Sequence, residues 1–156
     1  MRIGLISDTH GRLRREALHA LEGVDLVLHA GDIGRLDIIT ELETIAPVKA
    51  VHGNTDGFDI RDRYGDIVEA DADGKHIVVV HGHLLGAPKP GNLRAAHPQA
   101  DVIVYGHTHK PLLDDEAGPL VVNPGAAGPA RFHLKPSVAI LEVPAMTVRF
   151  IELQER

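Results

Sequence analysis

Short apolar runs alternate with segments whose apolar residues recur every three or four positions, and this alternation organises the first third of the chain. "RIGLIS" reads as a buried strand, and "RLRREALHALEG" follows as an amphipathic helix in which Leu13, Ala17 and Leu21 share one face. Gly23 supplies a stop signal for that helix. "DLVLHA" is a second strand, "RLDIITELETI" a second helix carrying Leu36, Ile39 and Leu42, and "VKAVH" a third strand after Pro47. A βαβαβ order predicts parallel strands joined by right-handed crossovers.

Beyond that point the pattern becomes strand-rich. "DIVEA" and "KHIVVVH" flank "DADG", a hairpin signature. "NLRAAHPQ" is at most a short helix, and "DVIVY" is another buried strand. "LVVN", "SVAILEV" and "TVRFIEL" come next, separated by Gly- and Pro-rich turns, and are expected to run antiparallel and close a second sheet. The expectation is an α/β fold in which residues 1–156 form a single domain, with two mixed β-sheets packed face to face and helices outside.

The ends of the apolar runs carry the chemistry. "LIS" ends in Asp8-Thr9-His10, "VLHA" in Gly31-Asp32, and "KAV" in His52-Gly53-Asn54. "IVVV" ends in His81-Gly82-His83, and "VIVY" in Gly106-His107-Thr108-His109. Ligand sites in α/β sheets lie beyond the carboxyl ends of the strands. Carboxylate, amide oxygen and imidazole are ligands of divalent first-row metals. Asp8, His10, Asp32, Asn54, His81, His107 and His109 are too many for one closed site and suit two open ones. Two metals about 3.5–4 Å apart form a clamp for in-line phosphoryl displacement, with a bridging carboxylate to set the spacing. If the chain stays extended past Gly106, His107 and His109 point the same way and each can reach a different ion. Taken singly, each of these residues also reads as an ordinary turn, cap or packed histidine; five such clusters in one chain favour the joint reading.

Composition narrows the partners. The chain has 156 residues, 44% of them hydrophobic, with no cysteine, so a thiolate site and disulfides are excluded. No apolar run approaches the ~20 residues that cross a membrane, and the amino-terminal segment does not read as a signal peptide. A cytoplasmic location is expected. A net charge of −6 and 3% aromatic residues disfavour a nucleic acid polymer as partner. A small phosphate ester remains, because two carboxylates and two divalent ions leave a local charge of about +2. A homo-oligomer is left open.

The five blocks D-x-H, G-D, G-N, H and G-H-x-H, here "DTH", "GD", "GN", "HGH" and "GHTH", resemble the signature of the calcineurin-like metallophosphoesterases. "NPGAAGPAR", Asn123 to Arg131, is similar to a segment of the small bacterial and archaeal phosphodiesterases of that family. The resemblance implies a four-layer sandwich and a dinuclear centre. By position, Asp8, His10, Asp32 and His109 would hold one ion, and Asp32, Asn54, His81 and His107 the other, with Asp32 as the bridge. Manganese is the first expectation, with nickel, iron, cobalt or zinc as alternatives. The implied reaction is attack on phosphorus by a metal-bound hydroxide, chiefly on phosphodiesters. The alternatives are a phosphomonoesterase, a nucleotide pyrophosphatase, or a non-catalytic scaffold like the retromer subunit of the same fold. His83 is a candidate substrate contact or acid beside Asp32 and Asn54. Many relatives carry G-N-H-D; here Thr55 replaces that histidine in "GNTD", which removes the usual acid for the leaving group.

Overall fold

Three parallel strands open the structure, a computed structural model that describes residues 1–116, 118–131 and 133–154. Strands β1 (Arg2–Ile6), β2 (Leu26–His29) and β3 (Val48–Ala50) pair side by side in parallel, as the βαβαβ pattern predicts. Helices α1 (Arg15–Ala20) and α2 (Leu36–Leu42) connect them. Both helices are shorter than their apolar periodicity, because residues 12–14 run without regular structure after a turn at His10 and Gly11 closed by Arg12 N–H on Thr9 O, and residues 43–45 leave the second helix in a turn.

The second half corrects part of the expectation. Helix α3 (Phe58–Arg63) follows β3 and was not expected, being only six residues with one buried apolar side chain, Ile60. Strands β4 (Ile67–Ala72) and β5 (Lys75–Val80) form the predicted hairpin, with Asp73 and Gly74 both at positive φ as a two-residue turn of this kind requires. After α4 (Pro90–Ala96) come β6 (Val102–Val104), β7 (Leu112–Asp114), β8 (Leu120–Asn123), β9 (Ser137–Glu142) and β10 (Thr147–Glu152). Strand β7 was also unexpected; three residues carry too little periodicity to be read.

Two of the three late strands expected to run antiparallel in a second sheet do not sit there. "LVVN", β8, lies between β6 and β7 and runs parallel to β6. The "SVAILEV" and "TVRFIEL" strands, β9 and β10, return to the first sheet, where β9 pairs antiparallel with β1. The first sheet is ordered β10-β9-β1-β2-β3 and the second β4-β5-β6-β8-β7, five strands each. Without β9, β1 would present an open edge whose buried apolar side chains need a partner.

Strand alternation sorts the core into three layers. Ile3, Leu5, Leu28, Ile77, Val79, Val104, Val122 and Leu141 face one another between the sheets. Ile6, Val27, Val138 and Ile140 turn outward onto Ala17, Leu21, Ile38, Leu42 and Ile60 of the three helices on that side. Val78, Val80, Ile103, Tyr105 and Val121 pack beneath Leu93 of α4. This is the helix–sheet–sheet–helix sandwich expected from the family signature. Among the described residues no helix is long and apolar enough to cross a membrane.

Leu28 is fully buried between the sheets. Leu28→Ala is expected to lower the free energy of unfolding by about 2–5 kcal/mol, read by urea titration.

Candidate metal centre

Strands β1, β2, β3, β5 and β6 all deliver their carboxyl ends to one place. The residues just beyond them, Asp8, His10, Asp32, Asn54, His81, His107 and His109, come together there. Asp8 and Asp32 are buried at 0% and 3% exposure, and no lysine or arginine pairs with either among the described residues. Imidazoles surround them instead.

Asp8 uses its two oxygens differently. Oδ2 accepts hydrogen bonds from Ser7 Oγ at 2.6 Å and from the backbone N–H of His107 at 3.1 Å. Oδ1 is buried and accepts no hydrogen bond, yet His109 Nε2 lies 3.4 Å away, His10 Nε2 3.7 Å and His81 Nε2 3.9 Å. Burial opposes ionisation of Asp8, but the nearby His10 and His109 and the charge of His81 outweigh it and hold the carboxyl well below its usual range. Asp32 Oδ2 lies between His81 Nε2 at 3.2 Å and His10 Nε2 at 3.8 Å, while its Oδ1 accepts the backbone N–H of Thr55 at 3.0 Å. Burial again acts against the charge, and His81 and Thr55 keep the Asp32 carboxyl low.

His81 shows what the arrangement lacks. Its Nδ1 lies 2.8 Å from Ala30 O, and a carbonyl can only accept, so Nδ1 carries the proton. Nε2 therefore points at oxygens alone: Asn54 Oδ1 at 3.1 Å, Asp32 Oδ2 at 3.2 Å and Asp8 Oδ1 at 3.9 Å. Such a nitrogen needs either a second proton or a cation in front of it. Burial disfavours the charged ring, but the Asp32 hydrogen bond and the two carboxylates raise its pKa above the ordinary value. On the other side, His10 Nε2 and His109 Nε2 face each other at 3.3 Å. Asp8, His10 and His109 offer donor atoms within 4.8 Å of one another, and so do Asp8, Asp32 and His81. The donors are oxygen and nitrogen in two adjoining groups, so the residues fit a divalent pair.

The left-handed backbone corrects one expectation. The chain does not stay extended past Gly106: His107 has φ 73° and His109 φ 66°. The two imidazoles nevertheless part company, His107 Nδ1 reaching Asn54 Oδ1 at 3.2 Å while His109 joins His10 and Asp8. His83 stands beside His81, ring centroids 5.4 Å apart, and its Nδ1 is buried without a hydrogen-bond partner. It borders the site and is outside both donor groups.

A family model for the calcineurin-like phosphoesterase superfamily domain matches residues 1–146. The chain belongs to that superfamily. It is 34% identical over 151 residues to a probable metallophosphoesterase of Methanothermobacter thermautotrophicus, covering 92% of this chain and 86% of that protein. The solved structure of an archaeal phosphodiesterase is similar with a TM-score of 0.81 and 30% identity, covering 98% of this chain and all of that one. Zinc-bound Vps29 of Entamoeba histolytica matches with a TM-score of 0.81 over 98% of each chain; at 22% identity this likeness concerns the fold. The superfamily depends on divalent metals, which agrees with the two donor groups here.

Several residues outside the donor groups support them, and of these Arg61 and the role of Asn123 were not legible in the sequence. Asp56 is buried and accepts three backbone N–H groups, from Gly53, Ile33 and Gly34, so it ties the Asn54 loop to the Asp32 loop. Arg61 on α3 holds the carbonyls of Asn54 and Asp56. Asn123 donates to Gly106 O and Thr108 Oγ1 and fixes the last histidine loop. Like the proposed ligands it ends a strand and precedes a turn, and that position was the available signal. Buried Arg14 binds Gly128 O and clamps the segment whose Ala127 and Gly128 N–H groups meet Ser7 O and Asp8 O.

Gly106 sits where the loops of the two sheets touch: a Cβ there would collide with Ser7 Oγ and press on Asp8 Oδ2. Gly106→Ala is expected to lower stability by about 1–3 kcal/mol in thermal melts. Gly91→Ala, at a helical position with nothing nearby, is expected to be neutral or to stabilise by up to about 1 kcal/mol.

Proposed function

We propose that this calcineurin-like phosphoesterase is a phosphodiesterase that hydrolyses small phosphate esters with two divalent ions, manganese before nickel, iron, cobalt or zinc. The observation that carries this reading is the unpaired Asp8 Oδ1 ringed by three imidazole nitrogens, next to a His81 Nε2 that faces only oxygens. Asp8, His10, Asp32 and His109 would hold one ion, and Asp32, Asn54, His81 and His107 the other. Bound there, the ions would supply Lewis acidity and bring the pKa of a water molecule to about 7. The protein's own groups set the rest. The fixed carboxylates and imidazoles keep the donor atoms converged before substrate arrives, so little reorganisation is needed in the reaction.

Leaving-group departure depends on Thr55. Its backbone N–H is committed to Asp32 Oδ1, and a threonine hydroxyl is a poor proton donor. Esters with acidic leaving groups are therefore the better substrates. His83 borders the site from the opposite loop and would contact substrate; burial and the neighbouring His81, His52 and His107 lower its pKa, so it is neutral at pH 7.

Metal-stripped protein is expected to take up two Mn²⁺ per chain in calorimetric titration, and His109→Ala to take up one. The Asp32 hydrogen bond and the two carboxylates raise the affinity of His81 for a proton, and a metal at Nε2 must displace it, so uptake should weaken as pH falls. The loaded protein is expected to hydrolyse bis-p-nitrophenyl phosphate with a higher kcat/KM than p-nitrophenyl phosphate. Preference for the monoester would replace the diesterase reading with a monoesterase; full metal uptake with no turnover of either would leave the scaffold reading.

Thr55→His is expected to raise turnover of alkyl esters at least about tenfold while changing that of aryl esters little, checked by steady-state kinetics across leaving groups.

A further inference from the structure

The two ligand loops of the first sheet are held together by a buried hydrogen-bond chain that no reactive group touches. His29, the last residue of β2, is fully buried. The backbone N–H of Gly31 points at its Nδ1 at 3.1 Å. A backbone N–H can only donate, so Nδ1 bears the lone pair and Nε2 bears the proton. Nε2 then donates to Thr9 Oγ1 at 3.0 Å, and Thr9 Oγ1 donates onward to Ile33 O at 2.8 Å. Every polar atom in this chain has one assigned role. Burial pushes the His29 pKa down to about 4, so the ring is neutral across the working range and keeps that tautomer.

The placement matters because Thr9 lies between Asp8 and His10, while Gly31 and Ile33 flank Asp32. Backbone bonds lace the same two loops: Asp8 N–H to Gly31 O, His10 N–H to Asp32 O and Gly11 N–H to Ile33 O, at 2.8–2.9 Å. Asp8, His10 and Asp32 all have positive φ, a conformation that non-glycine residues hold only when surrounding contacts enforce it. The backbone bonds set the two loops in line, and the imidazole–hydroxyl chain adds a buried side-chain hydrogen bond that crosses between them behind the donor atoms.

We propose that His29, acting through Thr9, is a positioning residue that holds the Asp8–His10 loop against the Gly31–Asp32 loop and thereby preorganises the metal donors. The inference rests on the reading that Asp8, His10 and Asp32 bind metal. Outer partners that orient ligands change metal affinity by about 10- to 100-fold.

The test is calorimetric titration of Mn²⁺ into metal-stripped wild type, His29→Leu, Thr9→Val and the double variant, with Leu42→Ala as a control for plain destabilisation. Leu42, on α2, is buried in the apolar layer between the outer helices and the first sheet, a cluster that includes none of the donor residues. Each single variant is expected to lose about 10- to 100-fold in Mn²⁺ affinity. The double should lose no more than the worse single, because one chain is cut in either case. The control should melt earlier and bind Mn²⁺ as wild type does. Long-range ¹H–¹⁵N spectra at pH 7 should show His29 neutral with the proton on Nε2.

Wild-type affinity in a folded His29→Leu protein, additive losses in the double variant, an equal loss in the Leu42→Ala control, or an Nδ1–H tautomer overturns the proposal. If His29→Leu fails to fold, Thr9→Val, which removes one hydroxyl, decides alone. Wild type that takes up no Mn²⁺ overturns the metal-centre reading itself, and this inference with it.

Discussion

Two carboxylates buried beside the imidazoles of His10, His81 and His109, with no lysine or arginine in contact among the described residues, cannot be an indifferent packing choice. A buried charge without a partner costs several kcal/mol, and proteins normally avoid it by pairing or by shifting the pKa until the group is neutral. Asp8 and Asp32 do the opposite and stay ionised. In the protein alone, the two carboxylates raise the His81 pKa against the effect of burial, so a proton on that ring would compensate them in part. That solution is incomplete, because Asp8 Oδ1 still accepts no hydrogen bond. A divalent cation satisfies Oδ1 and the imidazole lone pairs together. The electrostatics and the hydrogen-bond accounting therefore point to the same kind of partner, a cation.

The scaffold serves that constraint. Five parallel strands, three in one sheet and two in the other, aim their carboxyl ends at a common rim. The sheets bring only the strand ends within reach, and the loops must do the fine placement. Asp56 ties two loops through three backbone N–H groups, Asn123 fixes the third, and the His29–Thr9 chain binds the first to the second. Side chains outside the donor groups thus tie together the loops that carry them.

What could be read from the chain follows from how local each signal is. The convergence of the candidate donor side chains was legible because each sits at the end of an apolar run, a position visible one segment at a time. The parallel β1–β2–β3 order was legible because crossover handedness leaves few options. The destination of β9 and β10 was not, since pairing of "SVAILEV" with β1 is decided over about 130 residues of separation by which edge is left open. Helix α3 and strand β7 were too short to show a period, so Arg61 was missed with the helix that carries it. Extended geometry was expected at Gly106-His107-Thr108-His109 because alternation was extrapolated beyond the last hydrogen-bonded residue of β6.

That last difference bears on why the site has the residues it has. Asp8, His10, Asp32, His107 and His109 all adopt positive φ, where glycine would be relaxed and other residues cost up to about 1–2 kcal/mol, aspartate and histidine less than most. A sequence selected for stability alone would place glycine at these five positions. Aspartate and histidine stand there instead, and the cost is offset by the ladder Asp8–Gly31, His10–Asp32 and Gly11–Ile33 and by the caps from Ser7, Asp56 and Asn123. Strain is concentrated at the donors and relief is supplied by their neighbours, so the two must be read as one unit. A substitution in the ladder should act on the donors even where it leaves the core untouched.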